Sequence, residues 1–368
     1  MSRSLSIDEV SDLVEGATIL GTGGGGEPKE GFQLLESDVE SGRTLQLTSP
    51  LELDPKSYVI CTYSCGSIRA PGRKRADKEG LSVDEDVIKR CLETMKRELD
   101  GEISAVIPTE MGGHNTAIAI HSAALLGLPA IDGDQAGRAA PELSQSTYQV
   151  HGVRATPAVV ANDMGDMVVV HEYANIQQYE RICRDIAVLG GGHAFVIDSA
   201  VNAKEVSKLA LLRTVSTAIS LGETVRKANQ RNDNVIEKLT SFLSGYEIFH
   251  GKVDAVNLKQ NAGFLMGTVT FEGGRKWKGR KAKIWVKNEN IIAWRDGKLT
   301  VSVPDPILIV DKKGYGVTNS NMKKDLEVTI IGTKAPHVWR TPKGLELFGP
   351  RHFGFKFDFR PIELLVKT

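Results

Sequence analysis

Residues 17–26 read Ala-Thr-Ile-Leu-Gly-Thr-Gly-Gly-Gly-Gly, an apolar run that ends in a cluster of glycines with the spacing G-x-G-x-x-G. A loop with few Cβ atoms allows its backbone amides to approach an anion or a planar ring closely. Pro28 follows, as is typical of the first turn of a helix. The stretch therefore predicts a ligand-binding loop. Its candidate ligand-binding residues are Gly23, Gly24, Gly25 and Gly26.

The same spacing occurs in dinucleotide-binding loops, which need a strand before the glycines and an acidic residue about twenty residues after them. Here Ser6–Glu9 reads as a capping box, and an apolar stripe from Ile7 to Val14 favours a helix, which leaves room for only a short strand. The next strand candidate, Thr44–Thr48, ends without an acid at its tip. Glu27-Pro28 replaces the Lys-Ser/Thr ending of a P-loop. NAD is therefore not an expected cofactor. The only feature that favours a nucleotide-dependent enzyme is the glycine loop itself.

The composition excludes several classes of protein. The 368 residues are enough for two domains with sizeable cores. Lys+Arg and Asp+Glu are both 46, so neither nucleic acid nor an anionic membrane is an expected partner. No apolar stretch approaches the roughly eighteen residues of a membrane helix, and the N-terminus lacks the apolar core of a signal peptide. Four cysteines do not form a secreted disulfide framework at this length. We expect a soluble, cytoplasmic protein.

The pattern along the chain predicts an α/β domain at residues 1–240 and a β-rich, barrel-like or sandwich-like domain at 241–368. The motifs lie within 10–170, and the helices between 176 and 230 pack on this core or link it to the second domain. Strand candidates in the first domain are Tyr58–Thr62, Ala105–Ile107, Ala130–Asp132, Ala158–Ala161, Met167–Val170 and Ala194–Ile197; helix candidates are Asp84–Leu99, Thr116–Leu126, Ile176–Leu189 and Glu205–Gln230. Short apolar runs after Asn234, separated by turn signals such as Asn288-Glu-Asn290, predict the second domain. The expected fold is a three-layer-like α/β domain followed by this β domain.

Polar residues follow several of the predicted strands. Glu110, His114 and Asn115 come after one strand, Asp132 and Asp134 after the next, and Arg138 and Glu142 a few residues later. In open α/β sheets ligands bind beyond the carboxyl ends of the strands, so these groups and the glycine loop are expected to converge. Taken singly, each has an alternative role, since Asp and Asn cap helices and Gly residues form turns. The combination predicts a functional site.

Asp132 and Asp134 flank a single glycine, and Asp163 closes a later strand candidate. Carboxylates so placed are candidate ligands for a divalent metal, which His114 could join, or they raise each other's pKa for proton transfer. Structural turns explain the Asp-Gly-Asp sequence equally well, and His-x-x-x-His and Cys-x-x-Cys motifs are absent from the sequence. Metal dependence is left open at this stage.

Cys65 follows a strand and precedes the basic run Arg69–Arg75. A thiol near cations and backbone amides can have a lowered pKa and act as a nucleophile. The alternative is a small buried side chain, the usual role of a free cysteine.

Three segments together resemble the S-methyl thiohydantoin desulfurase-like family, which is associated with hydantoin utilisation. They are Gly16–Gly26, Glu110–Asn115 and Asp132–Glu142. The resemblance covers most of the chain, is stronger over residues 10–170, and implies an N-terminal α/β and a C-terminal β domain. It also implies hydrolysis of an S-methylated thiohydantoin ring to a hydantoin and a thiol. Gly66–Pro71 departs from the Met-Gly-Ala-Pro of the family, and residues 72–78 are unusually charged, so the substrate can differ.

The leading hypothesis is a hydrolase of a small cyclic imide or thioimidate. Glu110 or Asp134 would transfer protons and Cys65 would be the nucleophile, while the amides of Gly23–Gly26 would hold the developing anion. Asp132 and Asp163 would orient these groups or bind a metal whose water attacks. Substrate-binding candidates are His114, Asn115, Arg138 and Glu142. The alternative is a non-catalytic, ligand-binding or partner subunit of a hydantoinase-type enzyme; a homo-oligomer is the other expected assembly.

Overall fold

A computed structural model describes residues 2–66, 84–261 and 263–366. Its helices are α1 (Ile7–Leu20), α2 (Pro28–Glu40), α3 (Glu85–Glu98), α4 (Asn115–Leu126), α5 (Thr147–Val150), α6 (Ile176–Gly190), α7 (Ala203–Leu209), α8 (Thr214–Arg231), α9 (Val235–Phe242), α10 (Pro342–Phe348) and α11 (Ile362–Leu365). Its strands are β1 (Arg3–Ser4), β2 (Gln46–Thr48), β3 (Tyr58–Gly66), β4 (Ile103–Pro108), β5 (Ala130–Ile131), β6 (Gly133–Asp134), β7 (Ala158–Asn162), β8 (Met167–Val170), β9 (His193–Asn202), β10 (Leu211–Leu212), β11 (Tyr246–Asn261), β12 (Phe264–Gly273), β13 (Lys281–Lys287), β14 (Glu289–Arg295), β15 (Lys298–Ser302), β16 (Ile307–Asp311) and β17 (Glu327–Gly332).

The first sheet has the strand order β1-β2-β5-β4-β3-β9-β7-β8 among the described residues. Its β2, β5, β4 and β3 run parallel, because helices such as α3 and α4 return the chain between them. The strands β9, β7 and β8 continue the sheet in antiparallel pairing. The carboxyl ends of β3, β4 and β5 therefore meet at one edge.

Helices cover both faces of this sheet. Successive residues of a strand point to opposite faces, so Ile60 joins the core formed with α1, α2, α3, α4 and α8. Its neighbours Val59 and Cys61 join the second core, formed with α6 and α7. Strands buried on both faces need the near-continuous apolar runs that the sequence contains. The predicted three-layer α/β domain is confirmed.

The second sheet contains β11 to β17 in the order β15-β14-β13-β12-β11-β17-β16, with antiparallel pairing throughout the described residues. It curls into a half-barrel, which confirms the predicted β-rich C-terminal domain. The short apolar runs that predicted this domain do not include its first strand, β11. Many of its residues are half exposed or polar, and its pairing shifts register between Val253 and Ala255. The apolar alternation is correspondingly weak.

Two local predictions were wrong. Residues 17–20, left for a short strand before the glycines, form the last turn of α1, and Gly21 caps this helix. The single helix predicted at Glu205–Gln230 is divided into α7 and α8, because Leu211–Leu212 forms the two-residue strand β10, which pairs with β6. Arg213 then adopts a φ of +66°, which ends the extended segment and lets α8 begin. Tertiary pairing outweighs helix propensity here.

Candidate functional site

The site lies at the carboxyl edge of the first sheet. Since β4 and β5 are adjacent parallel strands, the segments that leave them emerge side by side. Glu110 follows β4 and Asp134 lies in β6, directly after β5. Both side chains are buried. The structure thus brings together the two carboxyl groups that the sequence predicted for proton transfer.

The glycine loop is a closely packed junction in this structure. The carbonyl oxygen of Gly25 accepts hydrogen bonds from the backbone N–H groups of His114 (3.0 Å) and Asn115 (3.2 Å), at the N-terminus of α4. A Cβ on Gly25 would collide with Gly112. The N–H of Gly24 donates to the carbonyl of Gly21 at 2.8 Å, so this amide is already engaged. The anion-binding role predicted for the loop amides gains no support from Gly24.

The other side of the loop faces the β domain. A Cβ on Gly23 would collide with the side-chain amide of Asn319, and a Cβ on Gly24 would collide with the carboxyl group of Glu289. The backbone N–H of Asn290 donates to the carbonyl of Thr22 at 2.8 Å. The absence of Cβ atoms therefore lets two β-domain side chains lie directly on the loop. Neither Glu289 nor Asn319 was predicted. Glu289 belongs to Asn288-Glu-Asn290, which is recognisable in the sequence only as a turn.

Glu110 is held in place by two donors. Its Oε1 accepts from Asn115 Nδ2 at 2.7 Å, and its Oε2 accepts from the N–H of Ala140 at 2.9 Å. Burial raises the pKa of Glu110 to about 7, although these two hydrogen bonds and the charge of Arg138 oppose the shift. The predicted residues Glu110 and Asn115 are therefore in direct contact. His114 is buried beside them at the start of α4, with its Cβ close to Gly26.

Asp134 has a similar environment. Its Oδ2 accepts from the N–H groups of Ala136 (2.9 Å) and Gly137 (2.6 Å). Burial raises the pKa of Asp134 to about 7. The two N–H groups and the hydroxyl of Thr214 oppose this shift, and the charge of Glu110 adds to it. Two neighbouring carboxyl groups with pKa values near neutrality are an arrangement found in acid–base catalysis.

Arg138 is a buried guanidinium among these carboxyl groups. Its Nη2 donates to Thr22 Oγ1 (2.7 Å) and to the carbonyl of Asn290 (3.2 Å), and its Nε donates to the carbonyl of Ala139 (3.0 Å). Its Nη1 has no partner. Burial lowers the pKa of Arg138 to about 10, and the negative charges of Glu289 and Glu110 limit this shift.

Glu289 completes the cluster from the β domain. It is buried, and its Oε2 has no hydrogen-bond partner. Burial and the charge of Glu110 raise the pKa of Glu289 well above its ordinary value. Neither Glu110 nor Glu289 forms an ion pair within 4.0 Å of Arg138 in the described part of the chain.

Glu142 links the two domains at the margin of the cluster. Its carboxylate forms an ion pair with Lys287 and a 2.8 Å contact with His352 Nε2. Burial acts to raise the pKa of Glu142, but His352 and Lys287 outweigh it and lower this pKa to about 2. A permanently ionised side chain that already has two partners is suited to holding the domains together. Its predicted role in substrate binding remains untested.

The three predicted metal ligands do not form one site. Asp132 caps α8, since its carboxylate accepts from the N–H of Ser216 (2.8 Å) and from Ser216 Oγ (2.6 Å). Asp163 follows β7, which is four strand positions from β5, about 19 Å along the sheet at the usual strand spacing. In the described ranges no group of three or more His, Cys, Asp or Glu side chains is arranged to hold a metal ion. The grouping of Asp132, Asp134 and Asp163 was therefore wrong.

Cys65 lies at the end of β3 in the second apolar core. Burial raises its pKa to about 11, although the charge of Arg184 opposes this. The lowered pKa expected of a nucleophilic thiol is therefore not found. The basic run Arg69–Arg75, and the departures from the family pattern after Gly66, lie outside the described residues.

Comparison with known families also divides the chain into two domains, at a different boundary from that between the two sheets. Residues 8–172 match the model of the S-Me-THD-like N-terminal domain, and residues 174–362 match that of the S-Me-THD-like C-terminal domain. The chain belongs to the S-Me-THD-like family. The resemblance seen in the three sequence segments is thus confirmed. The two family models meet at residue 173, whereas β9 still belongs to the first sheet and the second sheet begins at Tyr246.

A crystal structure of a protein from Chromobacterium violaceum has the same fold as this S-Me-THD-like chain. The two superpose with a TM-score of 0.79 at 19% sequence identity, over 98% of this chain and 100% of the other. No curated protein matches the sequence significantly. Among the described residues, none of the helices is long and apolar enough to cross a membrane.

Proposed function

We propose that this protein hydrolyses a five-membered cyclic thioimidate of the S-methyl thiohydantoin type, releasing a thiol and leaving the cyclic imide. Membership of the S-Me-THD-like family supports a thiohydantoin-related function. The observation that carries the proposal is the pair of buried carboxyl groups, Glu110 and Asp134, which emerge from adjacent strands and whose pKa values are both about 7.

Such a pair suits the hydrolysis of a thioimidate. Water adds its oxygen to ring carbon C2 and transfers one proton to the carboxylate of Glu110, while the C2=N double bond becomes a single bond and its nitrogen takes a proton from the carboxyl group of Asp134. The C2–S bond then breaks. The hydroxyl on C2 gives its proton to the carboxylate of Asp134 as it becomes the carbonyl, and the proton held by Glu110 passes to the sulfur, which leaves as a thiol. Groups with pKa values near 7 exchange protons in both directions at neutral pH.

Arg138 contributes electrostatic stabilisation. Negative charge develops on the ring and on the departing sulfur before the protons arrive. A buried guanidinium whose Nη1 is unpartnered offers a fixed donor for that charge, and its orientation is set by three hydrogen bonds to the protein. Donors fixed in advance in a buried site are worth more than donors in water. Cys65 has no role in this mechanism, because water is the nucleophile.

The test is a thiol-release assay with S-methylated thiohydantoins, with mass spectrometry of the product. We expect a thiol and the matching hydantoin. Glu110→Gln and Asp134→Asn should each lower turnover by about 10²-fold or more, while the surface variant Glu346→Gln should match the wild type. If both carboxyl variants keep full turnover, this assignment is wrong.

Two further arms separate the alternatives. If a chelator abolishes thiol release, a metal-bound water replaces Glu110 as the source of the nucleophile. If no thiol is released from any substrate but hydantoins bind, the chain is a ligand-binding subunit and not a hydrolase.

A further inference from the structure

The strongest unexplained feature of the molecule is a group of buried polar atoms that have no partner. Arg138 Nη1, Glu289 Oε2 and Asn319 Oδ1 are all buried, and none of them forms a hydrogen bond. Leaving a buried donor or acceptor unpaired destabilises a protein, because the group loses its hydrogen bonds to water and gains none in return. Three side chains of this kind around one loop need an explanation, and a bound polar molecule would supply one.

The three side chains that carry these atoms lie around one loop. The side chain of Arg138 is bonded to Thr22, the amide of Asn319 lies on Gly23, and the carboxyl group of Glu289 lies on Gly24. Thr22, Gly23 and Gly24 are consecutive, and consecutive Cα atoms are about 3.8 Å apart. The three side chains therefore border neighbouring residues of a single loop, and the atoms they place against it are Arg138 Nη2, Asn319 Nδ2 and Glu289 Oε1. Each side chain has one further polar atom that is buried without a hydrogen-bond partner.

The remaining polar atoms fix the orientation of these groups. Asn319 Nδ2 donates to the carbonyl of Asn288 at 2.8 Å, which assigns the free atom of this amide as an oxygen acceptor. Arg138 uses Nε and Nη2 on carbonyl and hydroxyl oxygens, which leaves Nη1 as a donor. The site thus offers one cationic donor, one fixed acceptor and one carboxyl group.

We infer that Glu289 and Asn319 of the β domain, with Arg138, recognise the hydrogen-bonding edge of a planar cyclic ureide and so determine the specificity of the site. Arg138 Nη1 donates to a ring carbonyl, Asn319 Oδ1 accepts a ring N–H, and Glu289 faces the second ring nitrogen. This inference rests on the proposed function for the identity of the ring, and it assigns binding roles that the proton-transfer pair does not supply.

The state of Glu289 fits both ends of the reaction. Burial favours its neutral form, and a protonated carboxyl can donate a hydrogen bond as well as accept one. It can therefore donate to the imine nitrogen of a thioimidate and accept from the N–H of the hydantoin product. Asn319 Oδ1 can only accept a hydrogen bond. It therefore suits the ring nitrogen that carries a hydrogen in both the thioimidate substrate and the hydantoin product.

The experiment measures binding without turnover, by titration calorimetry with three unreactive rings. Hydantoin has two N–H groups, succinimide has one, and N-methylsuccinimide has none. We expect each loss of an N–H to weaken binding by on the order of tenfold, because a buried protein group is left unpaired. Equal affinities for the three rings would overturn the inference.

A variant pair tests the assignment to Glu289. Glu289→Gln cannot both donate and accept through the same oxygen, so it should bind hydantoin on the order of tenfold more weakly and lose most of the preference over succinimide. Ser302→Ala is the matched control, since Ser302 is buried in the same domain and its Oγ is also unpartnered. It should keep the wild-type preference. Should Glu289→Gln fail to fold, the ring series on the wild type still decides the matter.

The results also distinguish the inference from the proposed function. Ring discrimination without thiol release would retain the recognition site and reject the hydrolase. Thiol release with no discrimination among the three rings would retain the hydrolase and reject the recognition site.

Discussion

Glu15 provides a test of how burial controls charge in this fold, at a position away from the proposed site. It lies on α1, and its Oε1 accepts the N–H of Gly316 in the β domain at 2.7 Å. Burial raises the pKa of Glu15 to about 7, with a smaller contribution from the charge of Asp311, although the Gly316 hydrogen bond opposes the shift. We predict that Glu15→Gln makes the protein more stable at pH 8 than the wild type.

The sign and size of this stability difference follow from proton linkage. The carboxyl group of Glu15 has a pKa of about 7 in the folded state and 4.5 as its ordinary value, so the folded state binds the proton more tightly. The wild type therefore loses stability as the pH rises from about 4.5 to about 7, and no more above that. At 1.36 kcal/mol per pKa unit the loss approaches about 3 kcal/mol. Gln does not titrate and can still accept the Gly316 hydrogen bond.

The assay is urea denaturation of both proteins at pH 5 and pH 8. The free energy of unfolding of Glu15→Gln relative to the wild type should rise by about 2–3 kcal/mol between these pH values. Other buried carboxyl groups contribute equally to both proteins and cancel. Glu346→Gln, on the exposed surface of α10, should show no such change. A difference between Glu15→Gln and wild type that is the same at both pH values would refute the reasoning.

Three other substitutions test separate features. Cys65→Ser should keep thiol release within about twofold, because a buried thiol with a pKa of about 11 is almost fully protonated at pH 7; a loss of 10²-fold in the release assay would restore Cys65 as the nucleophile. Gly16→Ala should lower the free energy of unfolding by about 1–3 kcal/mol in urea denaturation, since its Cβ would collide with the carbonyl of Ala218 and push α1 away from α8; unchanged stability would show that these helices separate freely. Glu142→Gln should destabilise the protein at pH 7 by up to about 3 kcal/mol, because the pKa of Glu142 is about 2 in the folded state and 4.5 ordinarily. This penalty should shrink as the pH falls from about 4.5 towards 2, which denaturation at pH 7 and pH 3 would measure; a penalty independent of pH would contradict the ion-pair account.

The layers of the fold could be predicted because each element carries its own periodicity. The apolar stripe of the helix predicted at Asp84–Leu99 corresponds to α3, whose buried residues include Val87, Ile88 and Met95. The short apolar run at Ala105–Ile107 corresponds to the centre of β4. Such patterns depend only on which side chains of the segment itself are buried, so they can be recognised without knowing the rest of the fold.

Features that depend on contacts between residues far apart in the sequence could not be predicted. The break between α7 and α8 exists because β10 pairs with β6, about 80 residues earlier in the chain. Asp132 looked like a metal ligand for the same reason, since its actual partner, Ser216, lies in a helix that the sequence pattern does not place next to it. Neither relation leaves a local signal.

The glycine loop shows why a motif can identify a site and still mislead about its own role. A backbone without Cβ atoms allows close approach, but the sequence does not say whether a ligand or another part of the protein approaches. Here Gly25 is pressed against Gly112, and Gly24 against Glu289. The loop contributes to the site by admitting side chains from the β domain, which carry the polar groups.

In the proposed mechanism the β domain is part of the site and not only a neighbour of the α/β domain. Trp339 Nε1 donates to the carbonyl of Ala136 at 2.8 Å, and the guanidinium of Arg138 lies 4.9 Å from the ring centre of Phe348. These aromatic groups cover the loop that follows Asp134, so water reaches its carboxyl group less easily. Burial is the main cause of the raised pKa of Asp134, and the β domain contributes to that burial through these aromatic groups. The proposed site therefore depends on both domains, although both residues proposed for proton transfer belong to one of them.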